Sequence, residues 1–247
     1  MRLLALALII GCDDKETTDD TDTTDTTADW ILPDGGTVTL TTRDGVDLVG
    51  DYYPADVAGS PGVVLLHMIP PSWDRTSWPD DFISALSGAG YSVLAIDRRG
   101  AGDSGGNAED AYEGEWGRYD VEAAASLLAA DGYSSLAVIG ASNGTTSAID
   151  YAIWAGGEGL PVPAVIGLMT GGGYTEAQTD MSNFAALSIP TILTYSTDER
   201  EWSVEQEPLN PGSWSFMEYA AGAHGTQMFN AAPEVSDDLL AYLGEHL

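Results

Sequence analysis

Short apolar runs recur along the chain, separated by stretches in which apolar residues return with helical spacing. Runs such as VVLLHM and LAVIGA place aliphatic residues at consecutive positions, which is typical of strands buried on both faces. Four such strands are predicted at residues 63–68, 92–97, 136–141 and 164–169, and residues 191–196 and 214–219 complete the set. Two earlier segments, 37–42 and 46–53, flank Asp44-Gly45 and predict an antiparallel hairpin.

Helical patterns fall between these strands. They cover residues 77–89, 115–130, 143–154, 181–187 and 233–247. Because strand and helix alternate, we expect an α/β fold in which helices cover both faces of a mostly parallel sheet. Ligands of such sheets bind at the carboxyl ends of the strands, so chemistry is sought there.

The N-terminus has the pattern of an export sequence. Met1-Arg2 precedes an unbroken apolar run over residues 3–10, which is too short to span a bilayer as a helix. The ending Ile9-Ile10-Gly11-Cys12 resembles a bacterial lipobox, which implies a lipoprotein signal peptide over residues 1–11 and lipidation of Cys12. The alternatives are a weak ordinary signal peptide and a truncated start. A lipidated Cys12 implies an extracytoplasmic protein anchored to a bacterial membrane.

Residues 12–29 form a stretch of almost only Asp and Thr after the cysteine. Such a composition cannot form a core, so we predict a disordered, extended tether. The remaining residues, 30–247, are long enough for one globular domain with a sizeable core.

The charge balance limits the partners of this domain. The chain has 39 acidic residues against 8 Lys and Arg, a formal net charge of −31, which argues against nucleic acid as a ligand. The same acidity is typical of salt-adapted surfaces. Cys12 is the only cysteine, so no intrachain disulfide can form, and no spacing predicts a metal site or a cofactor.

Ser142 is the candidate nucleophile. It stands at the centre of Gly140-Ala141-Ser142-Asn143-Gly144, where a predicted buried strand ends and a predicted helix begins. A serine in this setting occupies a sharp, strained turn that displays its hydroxyl above the sheet. The two glycines are explained by the close approach of strand and helix, which leaves no room for a Cβ atom.

A serine hydroxyl needs a base, and the chain contains three histidines. His246 is the penultimate residue and His67 ends a predicted strand. His224 lies in a loop after the last predicted strand, which brings it to the carboxyl edge of the sheet, and it is the preferred base.

The imidazole in turn needs a carboxylate that orients it. Asp198 is the first acid after the penultimate strand and is the leading candidate. Glu199, Glu201 and Glu176 remain alternatives. Asp97 precedes the serine and heads a charged loop, DRRGAGDSGG, whose charges are interpreted as structural.

The order Ser142, Asp198, His224 and the strand-turn-helix setting resemble the α/β-hydrolase superfamily. Residues 91–106 look like the family's strand followed by Asp-x-Arg-Gly-x-Gly-x-Ser, and residues 62–68 look like its strand with a His-Gly oxyanion element. The resemblance covers nearly all of the chain from residue 37 onward. It implies an eight-stranded, mostly parallel sheet with Ser142 as nucleophile, His224 as base and Asp198 as orienting acid.

The resemblance also implies an oxyanion hole formed by backbone N–H groups. One donor is Asn143, and the other comes from the turn after His67. Pro70 and Pro71 have no N–H to donate, so Met68 or Ile69 must supply it, and alignment on His67 favours Ile69. The chain departs from the family in two places, since Met68 replaces the usual Gly and no Gly stands shortly before Asp198.

About twenty residues separate residue 169 from residue 190, which is too few for a helical cap domain. We therefore expect no cap and an open pocket. Aromatic residues near the strand ends are candidates for an apolar rim or, equally, for packing the loops onto the core: Trp73, Trp78, Tyr174, Trp202 and Trp214.

These observations predict a serine hydrolase that cleaves small carboxylic esters through an acyl-enzyme and acts as a monomer. A peptidase or thioesterase would use the same three residues. A surface binding module that has lost its chemistry is the alternative from outside the enzymes.

Overall fold

A computed structural model describes residues 34–169, 185–220 and 222–247. Within them lies an eight-stranded sheet of order β1-β2-β4-β3-β5-β6-β7-β8. The strands are β1 (Gly36–Thr41), β2 (Asp47–Tyr53), β3 (Gly62–Leu66), β4 (Ser92–Ile96), β5 (Leu136–Ala141), β6 (Val165–Met169), β7 (Thr191–Ser196) and β8 (Trp214–Tyr219). The β1–β2 and β2–β4 pairings are antiparallel, and all the other pairings are parallel. The predicted α/β fold with a mostly parallel sheet is confirmed.

In the described ranges, four longer helices cover the sheet: α1 (Asp80–Gly88), α2 (Gly117–Ala130), α3 (Gly144–Glu158) and α4 (Glu234–His246). Short helices occur at Arg200–Ser203 and Met228–Ala231. Most of the helix predicted at 181–187 lies outside the described residues. In the described part of the chain, no helix combines the length and the apolar character that crossing a membrane requires.

The helix predicted from residue 77 begins later, at Asp80. Asp74 accepts a hydrogen bond from the Thr76 N–H and so caps a separate 3-10 turn at Arg75–Ser77. Pro79 then stands immediately before α1. The turn and the proline together move the start of the helix because proline suits a helix start rather than its interior.

Consecutive residues of the central strands supply two cores, one on each face of the sheet. In β3, Val63 and Leu65 pack with α1 and α4, whereas Val64 and Leu66 pack with α2 and α3. This explains why the central strands read as continuous apolar runs rather than as alternating ones. The carboxyl ends of β3 to β8 meet at one edge of the sheet, which carries the candidate site.

Candidate active site

Ser142 occupies the turn between β5 and α3 in a strained backbone conformation. Its φ of 49° lies in the left-handed region, where Ser142 is the only described residue other than glycine. Such a conformation costs about 1–3 kcal/mol and must be held by its surroundings. Here the Ser142 N–H donates to the Met169 carbonyl at 2.7 Å, and its own carbonyl accepts from the Thr145 N–H at 3.0 Å and the Thr145 hydroxyl at 2.6 Å.

The glycines on either side of this turn permit the close approach of helix and strand. A Cβ atom at Gly140 would overlap the backbone of Gly144. One at Gly144 would lie 2.5 Å from the Leu66 carbonyl oxygen and 2.6 Å from that of His67. The steric explanation predicted for both glycines is confirmed, and α3 begins directly against the end of β3.

The structure brings His224 to Ser142. The ring Nε2 lies 2.6 Å from the Ser142 Oγ, and Nδ1 lies 2.8 Å from Oε1 of Glu199. A carboxylate only accepts hydrogen bonds, so Nδ1 donates to it and Nε2 is left to accept the serine proton. This order of contacts permits transfer of a proton from the hydroxyl to the imidazole.

Glu199, rather than Asp198, contacts the ring, so the preferred acid is corrected. β7 ends at Ser196 and continues as a 3-10 turn over Thr197–Glu199. Because such a turn has three residues per revolution, successive side chains point about 120° apart. Asp198 is exposed and its carboxylate lies beside Gly222, where an added Cβ atom would be 2.5 Å from Oδ2.

Glu199 was one of three alternatives to Asp198 in the sequence. Glu201 is exposed on the short helix that follows the turn, and Glu176 lies outside the described residues. The side chain of Glu199 is 14% exposed, and that of His224 is 36% exposed. The imidazole of His224 is therefore accessible from solvent, whereas the carboxylate of Glu199 is largely enclosed.

The other two histidines make different contacts. His67 is fully buried, donates from Nδ1 to the Met68 carbonyl at 2.7 Å and accepts from the Arg98 N–H at 2.8 Å on Nε2. Burial, assisted by the charge of Arg98, lowers the pKa of His67 to about 3, so the ring is neutral and joins the ends of β3 and β4. His246 packs edge-on against Tyr242 near the end of α4.

The predicted oxyanion donors are the N–H groups of Asn143 and of the turn after His67. Asn143 begins α3 directly after the serine, and the contact between Gly144 and His67 places the turn after β3 against this helix. Within the described residues, the N–H groups of Asn143 and Ile69 donate to no backbone carbonyl. Both groups are therefore candidate donors to a negatively charged oxygen. The side chain of Met68 is buried and packs against Gly225, so it fills space beneath the site.

The aromatic residues divide between core and surface. Trp78 is buried and stacks on Phe82, and Trp214 is buried with its Nε1 donating to the Leu187 carbonyl at 2.9 Å. Both belong to the core rather than to a rim, because their neighbours enclose them. Trp73 is partly buried, whereas Trp202 is 53% exposed beside the Glu199 turn. Tyr174 lies outside the described residues.

The charged loop after β4 is paired within the fold, as the sequence interpretation of Asp97 requires. Asp97 is buried and accepts from Arg75 and from the Asp103 N–H. Arg99 is held by Asp120 and Asp44. The sequence reasoning missed one contact of this loop, in which the buried Arg98 donates to the Asn143 side chain at 2.8 Å. Its only trace in the sequence is a second arginine between Asp97 and the Arg-Gly pair.

Comparison with known proteins supports the fold and leaves the activity open. No protein-family model matches the chain. A stretch of 51 residues is 57% identical to epoxide hydrolase B of Mycobacterium tuberculosis, but it covers 21% of this chain and 13% of that protein. The chain therefore matches about an eighth of the length of this curated relative.

Solved structures match over most of the chain. An esterase from Pyrococcus furiosus is 18% identical, with a TM-score of 0.68 over 86% of this chain and 91% of the esterase. Dienelactone hydrolase from Anabaena variabilis is 17% identical, with a TM-score of 0.68 over 86% of this chain and 98% of that enzyme. This chain has the α/β-hydrolase fold. Epoxide hydrolase A from Mycobacterium thermoresistibile shares it, at 16% identity and a TM-score of 0.64 over 86% of this chain and 99% of that enzyme.

In this α/β-hydrolase fold, each of the three hydrogen-bonded side chains follows a different strand. Ser142 follows β5, Glu199 follows β7, and His224 follows β8. Since β5, β7 and β8 are parallel within one sheet, their carboxyl ends bring together residues that are 57 and 82 positions apart from Ser142. In the described residues, no cluster of His, Cys, Asp and Glu has the makeup of a metal site.

Proposed function

We propose that the protein is a serine hydrolase that cleaves carboxylic esters through an acyl-enzyme intermediate. The observation that carries this proposal is the continuous chain of hydrogen bonds from Glu199 through His224 to Ser142. An acid, an imidazole and a hydroxyl in this order are what activation of a serine nucleophile requires. The esterases and the dienelactone hydrolase among the structures of the same fold support a hydrolytic role on esters.

In the acylation step, the Ser142 Oγ attacks the ester carbonyl while its proton moves to Nε2 of His224. Glu199 stabilises the positive ring that forms and fixes the proton on Nδ1. His224 then donates the proton to the departing alkoxide, which leaves as an alcohol. In the second step, His224 removes a proton from water, which attacks the acyl group. His224 then returns this proton to the departing Ser142 Oγ, and the carboxylic acid is released.

The negative oxygen formed in both steps needs fixed hydrogen-bond donors. Asn143 and either Ile69 or Met68 would supply backbone N–H groups for it. One such donor contributes about 3 kcal/mol to transition-state stabilisation in comparable sites. An exposed Ile69 side chain, at 39%, and the exposed Trp202 provide apolar surface near the site for the non-reacting part of a neutral ester.

The proposal also covers where the enzyme acts. We propose that Cys12 is lipidated after cleavage of residues 1–11, and that residues 12–29 tether an extracytoplasmic domain of residues 30–247 to a bacterial membrane. These N-terminal residues, up to residue 33, lie outside the described part. Metabolic labelling with an alkyne-bearing fatty acid tests this: labelling should be lost in Cys12→Ser, and equal labelling of both proteins would refute the anchor.

The enzymatic proposal is tested with a fluorophosphonate probe and with p-nitrophenyl butyrate. We expect the purified protein to be labelled and to release nitrophenol, and Ser142→Ala to do neither. Ser104→Ala, which changes a serine bonded to the Asp97 and Val49 backbone, is the control and should still be labelled. Equal labelling of wild type and Ser142→Ala would refute the proposal.

The substrate class is tested in parallel with matched acyl groups. Thioester and aminoacyl amide analogues of the butyrate distinguish a thioesterase or peptidase from an esterase, and styrene oxide tests the epoxide chemistry named for the partial relative. We expect the ester to have the highest kcat/KM. A protein that is labelled by no probe and turns over none of these compounds would be a binding module.

A further inference from the structure

Arg98 is a buried cation for which the hydrolytic steps above have no role. It is the second residue after β4, which ends at Ile96, and it is fully buried at the carboxyl edge of the sheet. Its guanidinium donates to the Asn143 Oδ1 at 2.8 Å, to the Ser147 hydroxyl at 2.8 Å and to the Ala111 carbonyl. Its backbone N–H donates to His67. All of these acceptors are neutral.

The neighbouring arginines are compensated differently. Arg99 forms ion pairs with Asp44 and Asp120, and Arg75 forms ion pairs with Asp51, Asp97 and Asp103. Among the described residues, no carboxylate forms an ion pair with Arg98. Burial lowers the pKa of Arg98 to about 10, which still leaves the guanidinium charged at neutral pH.

The positive charge of Arg98 lies at the N-terminal end of α3, where it does not stabilise the helix. Asn143 precedes the first residue of α3 and Ser147 lies in its first turn, so the guanidinium binds the N-terminal end. A cation is unfavourable at this positive end of the helix dipole. Asp120 attracts Arg98 at longer range but forms its ion pair with Arg99, so burial of the Arg98 guanidinium still carries a desolvation cost. The arrangement therefore does not follow from folding stability alone.

The contact with Arg98 fixes the side chain of Asn143. Asparagine at the start of a helix ordinarily accepts a hydrogen bond from an N–H of the first turn. Here the Asn143 side chain makes no such capping bond and its Oδ1 accepts from Arg98 instead. The side chain of Asn143 is thus held from outside the helix, while its backbone N–H stays available beside Ser142.

We propose that Arg98 is a positioning residue for the hydrolysis, holding Asn143 so that its N–H faces the developing oxyanion and adding a buried positive charge behind that donor. The inference rests on the proposed function and extends it. A preorganised dipole and a fixed charge in a buried site act on the transition state more than on a neutral substrate. Arg98 should therefore affect kcat rather than KM.

The experiment compares Arg98→Met, Arg98→Lys and Arg99→Lys in the full chain with p-nitrophenyl butyrate. Arg99→Lys is the matched control, because Arg99 is adjacent and equally buried but binds carboxylates away from Ser142. We expect Arg98→Met to lower kcat on the order of 10- to 100-fold, less than the loss of a direct oxyanion donor, with KM within ~3-fold. Arg98→Lys should recover part of the loss, and Arg99→Lys should keep nearly full kcat.

A boronic acid provides a readout that a purely structural role would not move. Phenylboronic acid adds to the Ser142 Oγ, whose proton passes to His224, and the product is a negatively charged tetrahedral boronate. Its inhibition constant should rise in Arg98→Met by about the factor by which kcat/KM falls, because both report binding of a negative oxygen. A rise in KM with unchanged boronate affinity would overturn the proposal.

Asn143→Ala keeps the proposal testable if Arg98→Met does not fold. This variant removes the contact to Arg98 but keeps the backbone N–H. If Arg98 acts through Asn143, the double variant Arg98→Lys/Asn143→Ala should lose little more activity than the more damaging of its two single variants. Additive losses, or an equal loss in Arg99→Lys, would overturn the inference while ester hydrolysis stands. A wild type without labelling or turnover would instead refute the proposed function and this inference together.

Discussion

Replacing Glu199 by glutamine tests which of two adjacent acids supports His224. Glu199→Gln keeps the shape of the side chain and an oxygen that can accept from Nδ1, but removes the negative charge 2.8 Å from the ring. Asp198→Asn makes the same chemical change one residue earlier, on an exposed side chain that lies beside Gly222. The two variants therefore make the same acid-to-amide change at adjacent positions, so a difference in activity between them reports the position of the acid.

The magnitude follows from the charges that appear during acylation. A carboxylate and an imidazolium whose charge centres lie ~4 Å apart attract by about 4 kcal/mol at an effective dielectric constant of ~20. Solvent reaches His224, whose side chain is 36% exposed, and this reduces the attraction. We therefore expect kcat to fall on the order of 10²- to 10³-fold in Glu199→Gln and less than ~3-fold in Asp198→Asn.

The assay is steady-state hydrolysis of p-nitrophenyl butyrate, together with the rate of fluorophosphonate labelling of Ser142. Both rates should fall in Glu199→Gln, since both require proton transfer to His224. Thermal unfolding of each variant checks that the fold is retained. A larger loss in Asp198→Asn than in Glu199→Gln would refute the assignment of the acid.

Three further predictions concern sterics and charge. Gly144→Ala places a methyl group 2.5 Å from the Leu66 carbonyl oxygen and should lower the free energy of unfolding by about 1–3 kcal/mol in urea titrations. Gly157→Ala is the control, because the space around Gly157 is open, and it should not lower that free energy. Gly225 has a φ of +53°, and an added Cβ atom would lie 2.5 Å from the Met68 sulfur, so Gly225→Ala should lower kcat. Adding Met68→Ala should restore part of kcat, and no restoration would contradict this contact. With a net charge of −31, kcat/KM for a cationic choline ester should fall as NaCl rises, and that for an anionic succinate monoester should rise; equal responses would contradict long-range steering.

The central strands could be predicted from the sequence because each is buried on both faces. A run such as LAVIGA has no alternative environment in a soluble domain, and β5 occupies the predicted residues 136–141. Helix starts are set by single capping residues instead. Because of Asp74 and Pro79, α1 begins three residues later than predicted, although the apolar pattern correctly indicated a helix.

The acid and Arg98 could not be assigned for a different reason. Asp198 and Glu199 are adjacent, and only the 3-10 turn after β7 decides which of them faces His224. Arg98 and Asn143 are 45 residues apart, and no local pattern indicates their contact. Sequence order located the three strand ends that carry the site, whereas backbone turns decide which side chain at each end enters it.

The buried His67 makes the free energy of unfolding depend on pH. In the folded protein its pKa is lowered to about 3, mainly by burial, whereas an unfolded histidine titrates near 6.5. Below about pH 6.5 the unfolded chain therefore binds a proton that the folded protein excludes, and the free energy of unfolding falls as the pH falls toward 3. The slope from this one group approaches about 1.4 kcal/mol per pH unit.

Many carboxylates titrate at low pH, so the comparison should be made between pH 7.5 and 5, with His67→Gln as the reference. His224 and His246 are present in both proteins, so the difference in slope reports His67 alone. We expect the wild type to lose stability more steeply below pH 6.5, and equal slopes would refute a neutral, buried His67. Because Nε2 of His67 accepts from the Arg98 N–H, protonation of the ring would break the contact that joins the turn after β3 to Arg98, while Nδ1 could still donate to the Met68 carbonyl.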